Sequence, residues 1–169
     1  MERTAADRDL ADAAWRGITT LLAVQRQRMF AAAAAAGLTM PQAFAVLQLD
    51  PDDPPAMREL AGALQCDASL VTAIVDRLEE LGLAERRVSA ADRRVKELVL
   101  TGAGRDVQAR LRGAWTEAPA AVRRLSDRDL RDLARVARRM TEGLAVDPSC
   151  NPFARFPPRA PRAGGPPGG

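Results

Sequence analysis

The residues best equipped to do chemistry lie in one short stretch, RRVSAADRRVK at 86–96, where Arg86, Arg87, Arg93, Arg94 and Lys96 surround the single acid Asp92. The whole chain carries a net charge of only +3, so this is a local concentration of cations. Apolar, strand-like runs flank it, LAERRV before and VKELVL after, and the segment reads as a hairpin with a basic tip. One reading is a solvated turn whose acid limits self-repulsion. The other is a finger for a nucleic-acid groove. A minor groove about 6 Å wide excludes a helix but admits one extended guanidinium, and narrow A·T-rich stretches concentrate negative potential there. Composition excludes much other chemistry. With no histidine and only Cys66 and Cys150 as thiols, neither Ser-His or Cys-His catalysis nor an ordinary structural zinc site can be assembled. No catalytic constellation can be named; the expectation is a protein that is not an enzyme and uses no metal or cofactor.

The elements that must position this hairpin follow from periodicity. A chain of 169 residues, 47% apolar, predicts one domain with extended arms. Leu10, Ala14, Ile18 and Leu21 recur at helical spacing, and with the alanine run 31–36 they predict a long helix over about 5–36, stopped by Gly37. Thr39 and Gln42 form a T-x-x-Q capping box that starts a second helix, which ends before the turn DPDDPP at 50–55. A short third helix, about 56–65, precedes Asp67, the expected N-cap of a fourth helix. There Val71, Ile74, Val75, Leu78 and Leu81 make the buried stripe and Ser69, Thr72, Ala73, Asp76 and Arg77 face outward. Helix, turn, helix, hairpin is the order of a winged helix-turn-helix, with the hairpin as wing. Thr101 starts a further helix interrupted near Pro119. Ser126 starts the last, in which Leu130, Leu133, Ala137, Met140 and Leu144 keep a three-four seam that needs a partner. From Asp147 the composition turns to Pro, Gly and Arg, and a disordered tail is expected. The acids of the N-terminus do not read as a signal peptide and no apolar run approaches a membrane span. With so few cysteines, the expectation is a cytoplasmic protein with no membrane partner.

Four segments, LTMPQAFAVL, RELAGAL, LVTAIVDRLEELGLAERR and DRRVKELVLTGAGRDV, together resemble the MarR family of transcription regulators. The wing pattern Asp92-x-Arg94 followed by Leu100-Thr101-x-x-Gly104 is the most specific part. The resemblance implies a mainly α fold with a small β-hairpin wing. Residues 1–37 would form an N-terminal dimerisation helix, 38–101 the winged helix-turn-helix, 102–146 the C-terminal dimerisation helices and 147–169 the tail. It also implies a homodimer reading an inverted-repeat operator in double-stranded DNA, with half-sites about 34–36 Å apart. The terminal seams, which nothing inside one chain of this length can cover, point to the same homodimer.

By its place in the motif, Arg94 is the expected minor-groove finger, braced by Asp92 through a charge-assisted pair. Arg86, Arg87, Arg93 and Lys96 are expected on phosphates. On the recognition helix, 68–81, Ser69 and Thr72 can meet phosphates or base edges, Leu70 or Ala73 a thymine methyl, and Arg77 the backbone or a neighbouring acid. Family members often carry an arginine where this chain has Ala73, which weakens direct readout. The resemblance further implies a repressor released by a small aromatic or anionic effector, with Trp15, Met29, Phe30, Met40, Phe44 and Met57 as the residues that would line its cleft. Apolar core and dimer seam is the alternative for each. Urate-responsive members have an acid where this chain has Phe44. Cys66, just before the recognition helix, is the candidate for an oxidation switch, against a buried and inert thiol. A winged-helix module that binds protein instead of DNA completes the alternatives.

Overall fold

The computed structural model describes residues 4–51, 53–89 and 93–143. Their order is α1 (Ala5–Ala35), α2 (Met40–Gln48), α3 (Met57–Leu64), α4 (Ala68–Glu80), β1 (Ala84–Val88), β2 (Lys96–Leu100), α5 (Gly102–Thr116), α6 (Ala120–Arg123) and α7 (Asp127–Thr141). The fold is mainly α, with one antiparallel hairpin.

Local chemistry sets most boundaries. Thr4 and Asp7 cap α1 reciprocally, the Asp7 N–H reaching Thr4 Oγ1 at 3.3 Å and the Thr4 N–H reaching Asp7 Oδ2 at 3.1 Å. α1 ends in a Schellman turn, with Gly37 at φ +68° and the Leu38 N–H on Ala33 O at 2.9 Å. Thr39 donates its N–H to Gln42 Oε1 at 2.9 Å and opens α2, and Ser126 Oγ accepts the Asp129 N–H at 3.2 Å to open α7. Two expectations need correcting. Asp67 occupies the N-cap position of α4 but its carboxylate makes no cap hydrogen bond. Leu81, the C-cap residue, is half-buried and packs at the edge of the stripe. The break at Pro119 is also more than a break, because Pro119 caps the one-turn α6 before α7 begins.

The core gathers Met29 from α1, Leu47 from α2, Leu60 from α3, Leu78 from α4, Leu98 from β2 and Leu111 from α5, all essentially inaccessible. Each such side chain contributes about 1.5–3 kcal/mol by leaving water. α5 is the spine, packing on α1, α2 and β2. Its Gln108 is buried and donates Nε2 to Val46 O at 2.8 Å and Leu49 O at 2.6 Å, so the open carbonyls ending α2 are satisfied from a neighbouring helix. In return α1 caps α5: Gln25 Nε2 donates to Ala114 O and Trp115 O, each at 2.8 Å, and Arg28 Nη1 to Glu117 O at 2.8 Å.

Only the second half of α1 is covered this way. Leu10 and Trp15 on its first half stand exposed, as does Leu22 just past its middle, and no residue of α7 is buried, its seam residues Leu133 and Met140 and the neighbouring Val136 included. Leu144, Cys150 and the tail from Asp147 lie outside the described residues. Among the described residues no single helix is long and apolar enough to cross a membrane.

Candidate nucleic-acid interface

Two neighbouring surfaces make the site: the outer face of α4 and the hairpin that follows it. α4 is amphipathic because its apolar residues recur at three- and four-residue steps. Val71, Ile74, Val75 and Leu78 are buried, which forces Ser69, Leu70, Thr72, Ala73, Asp76 and Arg77 to the outside. The face is mixed in chemistry. Leu70 offers an exposed apolar side chain and Ala73 a methyl. Thr72 Oγ1 donates back to Ala68 O at 2.8 Å, so its hydroxyl meets an outside partner chiefly as an acceptor. Arg77 pairs with Glu80 one turn on, at 2.8 Å.

α3 and α4 are joined by a tight turn in which Gln65 adopts the left-handed conformation (φ +50°). The Cys66 N–H there bonds Ala61 O at 3.3 Å. α4 closes on Gly82 (φ +66°), and the Leu83 N–H reaches Leu78 O at 2.9 Å before the chain enters β1.

β1 and β2 pair in the register Ala84↔Leu100, Arg86↔Leu98 and Val88↔Lys96, with Glu85↔Val99 and Arg87↔Glu97 between. Alternation puts Ala84, Arg86 and Val88 on the face turned toward the domain. Ala84 and Leu100 at the base of the hairpin are buried and Val88 and Lys96 at the far end of the strands are exposed, so the hairpin is rooted in the core. β2 gains a further edge: the Leu98 N–H donates to Pro55 O at 3.1 Å and Ala56 bridges Glu97. The segment before α3 thus augments the two strands legible in the sequence.

The basic residues are not equivalent. Arg93 and Arg94 are exposed in the turn and Lys96 is exposed where β2 begins. Arg87 is exposed on the outer face and pairs with Glu85. Arg86 faces inward, its guanidinium shared between Glu79 and Asp76 of α4. Asp92, the expected brace of Arg94, lies outside the described residues. Glu79 was not singled out by sequence reasoning. Strand alternation could have found it, because a cation on the inner face of β1 must meet whatever α4 presents there.

The six residues considered for an effector cleft divide into two environments. Met29 is in the core and Met40, Phe44 and Met57 pack against it, whereas Trp15 and Phe30 are exposed on α1. An open depression of about 350 Å³ on α1 is lined by Thr19, Leu22, Ala23 and Arg26, none of the six. Cys66 is half-buried against the core, at the rim of an open depression shared with Gly62, Asp67 and Leu70.

A helix-turn-helix built by α3 and α4, followed by an antiparallel hairpin rooted beside it, defines a winged helix-turn-helix protein. Residues 38–96, which span the winged domain, match the sequence model of the MarR family. A comparison with curated proteins finds no match. Among solved structures, the chain is similar to the YusO protein from Bacillus subtilis at TM-score 0.69 and 22% identity, over 84% of this chain and 100% of that one. It is also similar to S. aureus MepR in complex with DNA, at TM-score 0.60 and 22% identity, over 78% of this chain and 97% of that one. A third similar structure is S. aureus MepR bound to ethidium bromide, at TM-score 0.60 and 22% identity, over 79% and 96%.

Proposed function

We propose that this chain acts in the cytoplasm as a homodimeric repressor that reads an inverted-repeat operator and is released by a small aromatic or anionic ligand. α4 lies in the major groove and the wing in the adjacent minor groove. The observation that carries the reading is the juxtaposition of an uncovered α4 face, Ser69, Leu70, Thr72, Ala73 and Arg77, with a hairpin whose exposed end holds Arg93, Arg94 and Lys96. A helix fits a major groove and an extended arginine a minor one, and the two surfaces here are neighbours in the order that duplex geometry requires. MepR, of the same fold, is found with DNA in one structure and with ethidium bromide in another, which supports both halves of the proposal.

The parts divide the work. Arg94 enters the minor groove, with Asp92 two residues before it to fix its direction. Arg87, Arg93 and Lys96 supply phosphate contacts and with them salt-dependent affinity. Residues 1–37 and 102–146 form the dimerisation regions, because the exposed apolar residues of α1 and α7 are of the kind a second copy would cover.

Selection of bound fragments from genomic DNA tests the reading, since a two-fold protein must return an inverted repeat. On the selected operator, Arg94→Ala is expected to weaken binding by more than about 1 kcal/mol, the scale of one good groove contact. Wild-type affinity in that variant, or no enrichment of any fragment at low salt, overturns it.

A further inference from the structure

Arg86 belongs by sequence to the cluster of phosphate-seeking cations, yet its surroundings give it different work. We propose that Glu79 is the positioning residue of the wing, clamping the hairpin to the recognition helix through Arg86, so that α4 and the wing tip meet DNA as one rigid reader. The proposal rests on the DNA-binding reading of these two surfaces.

The clamp is built at three points. The Arg86 N–H donates to Glu79 Oε1 at 2.8 Å, its Nη1 donates to Glu79 Oε2, and its Nη2 donates to Asp76 Oδ1 at 2.6 Å. One carboxylate of α4 therefore takes both the main chain and the side chain of the same β1 residue. The main-chain bond matters because the cross-strand pair Arg86↔Leu98 sends both its N–H groups outward. Leu98 finds Pro55 O on its side of the sheet, and Arg86 finds Glu79 on the other. The two edges of the hairpin are thus tied to the domain in the same register.

Charge explains why the pairing is not simply decorative. Asp76 and Glu79 stand three residues apart on one helix face, where like charges repel each other, and Asp76 shares the outer face that would meet the polyanion. A guanidinium can fork across two carboxylates as an ammonium cannot. Arg86 is also the shielded arginine of the strand: its side chain is 24% exposed against 62% for Arg87. A cation turned inward onto two acids orients the wing and leaves the phosphates to its neighbours.

The test uses the full chain, two conservative variants and the operator fragment that the wild type selects. Glu79→Gln removes a negative charge near DNA, so charge alone predicts tighter binding, whereas the clamp predicts weaker binding. Arg86→Lys keeps the charge, so a phosphate contact would survive it and the clamp would not. We expect each variant to lose affinity on the order of tenfold, a groove contact's worth. Each should lose hydroxyl-radical protection in the outer minor grooves while the central major-groove contacts persist. Without DNA, amide exchange over residues 84–89 should quicken in both variants while 71–78 keeps its protection. Full footprints at wild-type affinity, or unchanged exchange over 84–89, overturn the clamp. If the wild type selects no DNA, the functional reading fails, and the exchange measurement still decides whether the clamp exists.

Discussion

Gly104→Ala is the smallest substitution expected to do the largest damage. Gly104 is buried in the first turn of α5, and a Cβ there would lie 1.9 Å from Leu83 O and 3.0 Å from Leu100 Cδ2. Ordinary carbon–oxygen contact begins near 3.3 Å, so the backbone at Leu83 would have to retreat by about 1.4 Å. That carbonyl is not free to move. It accepts the Thr101 N–H at 3.1 Å, while Thr101 Oγ1 donates to Gly82 O at 2.6 Å and accepts the Gly104 N–H at 3.0 Å. Breaking two or three such bonds at about 1 kcal/mol each, and spreading Leu83 from Leu100, gives a loss of at least about 3 kcal/mol. In urea this lowers the unfolding midpoint by about 1 M or more at an unchanged slope, compared at one protein concentration because association shifts apparent stability. Gly62→Ala is the control: it sits in α3 with nothing within 4 Å of its Cβ position and should gain about 0.5–1 kcal/mol. A Gly104→Ala midpoint within about 0.3 M of wild type would refute the reasoning, since it would mean that the α5–Leu83 contact yields without cost.

Two further outcomes follow from the same structure. Gln108→Leu should cost about 1–3 kcal/mol by taking the Gln108 donor from Leu49 O and leaving Val46 O only the long bond from the Leu49 N–H at 3.4 Å, read as a reduced urea midpoint. On the proposed dimer, Leu133→Asp with Met140→Asp places two charges on the uncovered face of α7 and should convert the sedimenting species to monomer, while a dimer unchanged in mass would remove α7 from the interface.

Helices were legible in the sequence wherever a local rule governed them. The three-four stripe of α4 gave its buried side, and Gly37, Thr39 and Ser126 gave ends and starts, because caps and periodicity are properties of a few consecutive residues. What was hidden depends on residues distant in the chain. The pairing of Pro55 and Ala56 with β2 joins segments some forty positions apart, and the Gln108 bonds to Val46 and Leu49 span 62 and 59 positions. Composition carries no trace of either. The Asp67 cap failed for a related reason: residue type permits a cap bond, but the side-chain direction that decides it is fixed by surrounding packing. Arg86 is the intermediate case. Its type suggested a cation for DNA, while its parity in the strand, shared with buried Ala84, already put it on the inner face.

That difference bears on how the proposed site would discriminate among sequences. With a methyl at Ala73 and the Thr72 hydroxyl donating into its own helix, α4 offers few groups that hydrogen-bond base edges bidentately, and its Arg77 is engaged by Glu80. Selectivity must then come largely from where the duplex permits a narrow minor groove at the wing, one helical turn from its twin, which is shape readout. Shape is read only by a rigid gauge. A wing swinging freely on its two strands would follow grooves of many widths and distinguish none, whereas a wing tied to α4 at one edge and to Pro55 at the other transmits groove position to the reading helix. Weak base contacts from α4 and a firmly held hairpin are therefore complementary features of one reader, and loosening the second should broaden the selected operator more than it lowers non-specific affinity for DNA.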